Sequence, residues 1–219
     1  MTSTIDRIRR HPERARSQRH ELDSVLDAGE HVATLATVVD GLPWVVPMLY
    51  ARIGDQILFH GSTGAGALRH VAAGAPAALC VTHIDGWVYA HTLFDSSANY
   101  RSAVVRGTLN CLSGAEAAEA LTLMSDRVFP GRSNEVPRHT GKHLAATQAL
   151  SMDIAEGQWT VKIRNEAPGE PDRNEAVASD LWTGVVPIWT VYGRPQAAPH
   201  LAPNVPVSAS VQAYVEAKQ

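Results

Sequence analysis

Along most of the chain apolar and polar residues alternate with a period of two, and a helical period interrupts the alternation at a few places. Residues 31–39 and 44–51 flank the turn pair Asp40-Gly41, and residues 56–60 follow Gly54-Asp55, so three strands joined by tight turns are predicted. A further strand is expected over 77–83, a hairpin at Asp85-Gly86 and a returning strand over 87–94. Residues 100–111 alternate with polar side chains on both faces, as a strand lining something wet would. Runs at 150–155, 158–163 and 182–192 complete a set of about eight strands, with a loop over 165–179. Helical spacing is confined to 17–28, where Leu22, Val25 and Leu26 share a face ahead of Gly29, to 67–73, to 113–128 and, more weakly, to 143–150. Ser113-Gly-Ala-Glu116 reads as a capping box for the third helix, with Ala117, Ala120, Leu121, Met124 and Val128 behind it. Strands in hairpin order with a few helical excursions predict a mainly β chain closed as an antiparallel barrel, not a doubly wound parallel sheet.

The flanks lack this order. Residues 1–16 are Arg-rich without apolar periodicity and are expected to form a flexible arm, 17–194 form the barrel domain, and 195–219, rich in Pro and Ala, form an extended tail. A length of 219 residues suits one domain with a substantial core. The net charge is −3, and Asp6, Glu13, Glu21 and Asp23 interleave the N-terminal arginines without an aromatic platform, so no nucleic-acid partner is expected. No apolar run approaches the ~20 residues that span a bilayer, and the first residues have no signal-type apolar segment, so a cytoplasmic location without a membrane partner is expected. Cys80 and Cys111 sit in strand-like runs with no second Cys or His at ligand spacing; both are expected as buried reduced thiols, and no metal site is expected.

The most informative stretch is Ile57-Leu-Phe-His-Gly-Ser-Thr-Gly-Ala-Gly-Ala-Leu-Arg-His70, where a strand gives way to a small-residue turn and then to a helix. Unpaired N–H groups at the helix start, the Ser62 and Thr63 hydroxyls and Arg69 would together suit a phosphate. The alternative is a plain turn. The stretch is neither a P-loop nor a dinucleotide fingerprint, because the Lys-Ser/Thr pair and the three-glycine spacing are both missing. Pro47 removes a ladder donor, so its strand must be an edge, bulged, or open to a ligand there. Arg101, at the start of a strand with two polar-leaning faces, must meet a carboxylate, a phosphate or an electron-rich ring. Ser62, Thr63 and Ser102 lack a Ser-His-Asp arrangement or an elbow motif, so they read as hydroxyl donors and not as nucleophiles.

His60-Gly-Ser62 after a strand, Asn99-Tyr-Arg-Ser102 opening a strand and Trp182-Thr-Gly-Val-Val-Pro187 near the end together resemble the flavin-binding split-barrel group. More narrowly, the chain is similar over about residues 18–200 to the pyridoxamine 5'-phosphate oxidase-related proteins that include the nitroimidazole-resistance type. The resemblance implies a six-stranded antiparallel split β-barrel, a homodimer, and FMN held where the subunits meet. It implies that His60, Gly61, Ser62, Thr63 and Arg69 hold the FMN phosphate, and that Pro47, Met48, Leu49 and Tyr50 run past the flavin ring. Tyr100, Arg101 and Ser102 match a second cofactor-side motif, and Lys162 matches a basic position that reaches the phosphate or ribityl chain. Relatives commonly carry Arg-Ser and then a His pair where this chain has His91-Thr92 and Asp95-Ser96, and His83 replaces a non-ionisable residue, so the substrate is expected to differ. Asp95 or His91 would then be placed to move a proton. The implied activity is an FMN-dependent oxidoreductase acting on a small molecule. The alternative is a non-catalytic flavin- or haem-binding protein with a sensing or regulatory role, since some split-barrel relatives bind haem; His60, His83, His91 and His143 are the histidines to weigh as ligands.

Overall fold

The computed structural model describes residues 8–64, 66–155, 158–171 and 180–218. Residues 1–7 of the expected arm, Ala65 in the small-residue turn, Glu156-Gly157 and residues 172–179 of the expected loop lie outside them. Six strands close an antiparallel ring: β2 (Val32–Val39), β3 (Leu42–Ile53), β4 (Gln56–Ser62), β7 (Thr147–Asp153), β6 (Ser97–Leu112) and β5 (Pro76–Tyr89), which pairs back onto β2. Outside the ring, β8 (Trp159–Arg164) lies against β6, β1 (Ala15–Arg16) extends β8, and β9 (Gly184–Pro187) pairs with the end of β5. This is the split barrel, and the split comes from long strands that change partner midway. β6 pairs with β8 over 100–105 and with β7 over 109–112, while β3 pairs with β2 over 42–49 and with β4 only over 50–53.

Alternate positions of these strands fill the interior. Leu35, Tyr50, Ile57, Phe59, Leu79, Val105, Leu150 and Met152 are all buried there, each such aliphatic or aromatic side chain worth about 1.5–3 kcal/mol relative to exposure. α1 (Arg19–Leu26) opens on a Gln18–Glu21 capping box and inserts Leu22, Val25 and Leu26 into this same core. α3 (Gly114–Val128) packs on the outside, Ala120 and Met124 against Ala51 and Leu58, Ala117 and Leu121 against Ala149. The Asp40-Gly41 hairpin forms with φ of 51° and 79°, the left-handed pair that a two-residue turn between twisted strands requires. Among the described residues no helix is long and apolar enough to cross a membrane, and no group of three or more His, Cys, Asp or Glu is placed to hold a metal ion.

Several expectations need correction. Asp85-Gly86 is not a hairpin: β5 runs straight through it, with a bulge between Ile84 and Gly86, because β6 is long enough to pair with the whole run. The bulge moves the buried positions from Val81 to Gly86 and Val88, and Gly86 is needed there because a Cβ would sit 2.9 Å from the Val186 carbonyl oxygen of β9. Residues 147–150, expected as helix, belong to β7, since α4 (Gly141–Ala146) stops where pairing with β4 and β6 begins. Ser113 makes no side-chain cap bond; Gly114 at φ 54° breaks the regular first turn that a capping box needs. The chain before residue 17, expected as a flexible arm, forms a 3-10 turn at Pro12–Arg14 and then β1, and the expected tail ends in α5 (Ala209–Glu216). The last strand is shorter than expected, four residues of β9. Cys80 is half-buried and Cys111 exposed, so neither thiol is sealed in the core.

Candidate functional site

Where β3 parts from β4, its residues 42–49 have β2 on one side and no paired strand on the other among the described residues. Pro47 sits in this stretch, opposite Thr34, so its missing N–H costs no bond to β4. Pro47 and Leu49 face outward and exposed, whereas Met48 turns in against the core. β4 continues past the split as His60-Gly-Ser62, paired with Ala149, Gln148 and Thr147 of β7. A Cβ at Gly61 would lie 2.2 Å from Leu68 Cδ1 and 3.9 Å from Met48 Cε, so glycine there lets α2 (Gly66–Ala72), β3 and β4 meet. Ser62 Oγ accepts from Gly64 N at 3.2 Å and keeps its own proton to donate, while the Thr63 hydroxyl donates weakly to the Ala146 carbonyl at 3.5 Å. Arg69 is exposed on α2 and makes no hydrogen bond or ion pair among the described residues. His60 is flanked closely enough by the fold that desolvation, and then His139, hold its pKa below the usual imidazole value. The open edge and the turn thus adjoin through Gly61, Met48 and Leu68, and Arg69 follows on the helix that leaves the turn.

Tyr50 departs from the expectation that it runs past the flavin ring with Pro47, Met48 and Leu49. It is fully buried, and its hydroxyl donates to the Leu26 carbonyl of α1 at 2.6 Å, so the side chain is a core tie; burial pushes its pKa up. Its backbone N–H donates to the His31 carbonyl at 2.9 Å and the residue pairs with Phe59 of β4, so the open edge ends before it.

The second expected group lies on β6 and β8. Tyr100, Arg101 and Ser102 pair with Arg164, Ile163 and Lys162, and Ser102 Oγ approaches the Lys162 carbonyl at 3.5 Å. Lys162 Nζ reaches the Arg10 carbonyl at 3.4 Å, so here it serves the N-terminal segment. Arg101 meets a carboxylate, one of the three options open to it: Nε and Nη2 donate to Asp85 at 2.9 and 2.7 Å, and this pairing raises its pKa further. The pair lies in a pocket of about 440 Å3 shared with His83, Trp189 and Lys218. Among the described residues no hydrogen bond or ion pair joins this group to the β3–β4 group.

The four weighed histidines are spread out. His83 Nε2 donates to the Val25 carbonyl at 3.0 Å, its ring so close to Gly29 that a Cβ there would fall 2.5 Å from it. His143 caps α4, His60 lies by the turn, and His91 Nδ1 is buried without a partner. His70 was not singled out by the sequence, because it reads as an ordinary helical residue. It overhangs an open slot of about 1000 Å3 floored by Ala36, Val38, Ala77, Ala78 and Gly107, and its Nε2 donates to the Val38 carbonyl at 2.8 Å, which leaves Nδ1 bare.

Closure of six antiparallel strands with a mid-strand change of partner defines a split-barrel protein of the flavin-binding type. The profile of the pyridoxamine 5'-phosphate oxidase family matches residues 18–161, and the chain belongs to that family. Comparison with the curated proteins finds no match. Among solved structures, the FAD and Heme binding protein from Mycobacterium smegmatis is 40% identical, with 91% of this chain and 96% of that chain covered at a TM-score of 0.87. The flavocytochrome Anf3 from Azotobacter vinelandii is 26% identical over 97% of each chain, again with a TM-score of 0.87. A proposed 5-nitroimidazole antibiotic resistance protein from Bacteroides thetaiotaomicron shares the fold at 16% identity, covering 68% of this chain and 86% of that chain with a TM-score of 0.58.

Proposed function

We propose that the chain is a flavin-dependent oxidoreductase that works as a homodimer on a small molecule. The observation that carries this reading is the unpaired edge of β3 beside the His60-Gly-Ser-Thr63 turn: a row of backbone groups for the rim of a flat ring, next to hydroxyls and Arg69 for a phosphate. FMN satisfies those groups, and FAD carries the same portion. When bound, the flavin supplies hydride or single-electron transfer. The chain's own part is to hold the phosphate with Ser62, Thr63 and Arg69, to orient the ring along residues 47–49, and to bring the Arg101–Asp85 pair to bear on its charge.

Two features support the dimer. The outer face of the β2–β3 hairpin bares Val32 beside Leu49, then Val45 and Val38, a row of exposed apolar side chains on one face of the paired strands. The β6–β8 group also lies apart from the β3–β4 group within one chain, and a second copy is the simplest way to bring both to one ring. Gel filtration at twice the chain mass is expected.

The spectrum of the purified protein tests the reading. Flavin bands near ~375 and ~450 nm, or tight uptake of FMN or FAD, are expected. Arg69→Ala should weaken uptake by about 1.5–3 kcal/mol, which is about 10- to 150-fold. A protein with no flavin bands and no uptake would overturn it.

Haem is a second group that the His70 slot favours. Small side chains let a flat macrocycle approach the sheet, and a histidine whose other nitrogen is anchored on a carbonyl is set up as a ligand. The 40% identity to a protein named for both FAD and haem supports carrying both. A Soret band near ~400 nm on adding haemin, lost in His70→Ala, is the expected result; a band that survives in the variant would remove His70.

A further inference from the structure

The N-terminal segment, the loop after β5 and the chain after β8 enclose a cleft of about 710 Å3 that holds His91 and Asp95 but none of the residues of the β3–β4 group, the Arg101–Asp85 pocket or the His70 slot. Two buried nitrogens in that lining lack a hydrogen-bond partner, His91 Nδ1 and Arg164 Nε. Arg164 is only 6% exposed; its Nη1 donates to the Ala98 carbonyl at 3.2 Å and to Asn99 Oδ1 at 3.1 Å, while Glu166 Oε2 stands 3.6 Å from Nε, too far for a hydrogen bond. Buried polar nitrogens left unpaired are costly and uncommon; the Arg164 Nε–H asks for an acceptor oxygen, and His91 Nδ1 asks for another in the tautomer that carries its proton there.

The opposite rim is stiff. Thr92 Oγ1 donates to Asp95 and accepts from Asp95 N at 3.1 Å; Ser96 Oγ donates to the Thr92 carbonyl at 2.8 Å and accepts from Ala90 N at 3.1 Å. This rigid loop nonetheless holds Phe94 out at 87% exposure. A large ring fixed at the mouth of a cleft is a stacking platform.

Charge narrows the occupant. The lining holds three guanidiniums, of Arg10, Arg14 and Arg164, and three carboxylates, of Asp95, Glu166 and Glu170. Arg14 and Glu166 satisfy each other through bonds of 3.1 and 2.7 Å, and Asp95 is taken by Thr92. Arg10 and the Nε–H of Arg164, which Glu166 approaches only to 3.6 Å, remain for an anion, and Glu170 remains as an acceptor for hydroxyl or amine donors. A bare oxyanion would meet Glu170 as an opposing charge, and a purely apolar ring would leave the buried nitrogens unpaired. A ligand that is anionic at one end, flat at the other and rich in hydroxyls between them answers all three groups. We infer that this cleft binds an adenine nucleotide, with its base on Phe94, its phosphates at His91, Arg10 and Arg164, and its ribose hydroxyls toward Glu170.

That nucleotide has two possible sources: the ADP half of FAD, or a separate nicotinamide dinucleotide that delivers electrons. Calorimetric titration with ADP tests the site without any flavin, so its outcome is independent of the flavin reading. The wild-type protein should bind ADP, Phe94→Ala about tenfold more weakly and His91→Gln about fivefold more weakly. Removing a side chain as exposed as Phe94 takes nothing from the core, and far-ultraviolet circular dichroism checks both variants. Absence of ADP binding, equal binding by both variants, or inorganic phosphate competing as tightly as ADP would each overturn the inference. Protein loaded with FAD that no longer takes up ADP, while FMN-loaded protein does, would assign the cleft to the ADP half of FAD; uptake by both would assign it to a separate nucleotide, and either result sustains the site.

Discussion

Tyr50→Phe isolates one hydroxyl that the fold uses twice, to end a helix and to hold it in the barrel. Tyr50 is fully buried and donates to the Leu26 carbonyl at 2.6 Å. Leu26 is the last residue of α1, where carbonyls have no partner within the helix. The substitution keeps the ring and its packing but leaves that buried carbonyl unpaired, at a cost of about 1–3 kcal/mol. Taking about 2 kcal/mol, and a shift of about 2–4 °C per kcal/mol for a chain of this size, the melting temperature should fall by about 4–8 °C. Urea unfolding should show a lower midpoint with an unchanged slope, because the surface exposed on unfolding is the same. The hydroxyl also has a pH signature. Burial holds its pKa above the ordinary value of about 10, so the folded state keeps a proton that the unfolded chain gives up in alkali. Its stabilisation is complete below about pH 10 and is lost as the pH rises further; in the variant this alkaline loss disappears. Flavin affinity should change less than about threefold, since the Tyr50 side chain is sealed in the core and its backbone N–H is held by the His31 carbonyl. An unchanged melting temperature with flavin affinity lowered tenfold would refute the reasoning and return the hydroxyl to the binding site.

Four further substitutions bear on the site and its frame. Arg101→Ala should lower the reduction potential of the bound flavin and Asp85→Asn should raise it, since each removes one half of a pair bonded at 2.7 and 2.9 Å; potentials unmoved by both would mean that neither charge is felt at the ring. Gly86→Ala should release β9 without unfolding the barrel, because a Cβ would meet the Val186 carbonyl at 2.9 Å and β9 is a four-residue edge strand; amide protection retained at residues 184–187 would contradict this. Glu135 accepts from Ser210 N at 2.8 Å and from its hydroxyl at 2.6 Å, and these bonds, with Arg132, hold its pKa down to about 2. Its hold on α5 is therefore full above the usual carboxylate range and lost as the pH falls toward 2, and Glu135→Gln should speed amide exchange over residues 209–216 at neutral pH; equal exchange would free α5 from this contact.

The sequence alone determined the elements whose signals are local. The 3.6 period of Leu22, Val25 and Leu26, the Asp40-Gly41 turn and the change of period around His60-Gly-Ser-Thr63 each act within a few residues, and each lies where its pattern pointed. The spacing of motifs across the chain was enough to mark the family. Tertiary structure decided what depends on a partner distant in sequence. Asp85-Gly86 carries hairpin chemistry but became a bulge because β6 was there to pair with both sides. Residues 147–150 look helical alone, yet β4 and β6 offered them two ladders. Arg101 was legible as a charge needing an opposite, but Asp85 emerged as that opposite only when β5 and β6 lay side by side. His70 and the unpaired nitrogens of His91 and Arg164 gave no signal in one dimension, since a missing hydrogen bond exists only once every neighbour is in place. Periodicity and turn chemistry are properties of consecutive residues and survive in a string of letters; pairing, burial and charge compensation are relations between segments, and the closing of the barrel creates them.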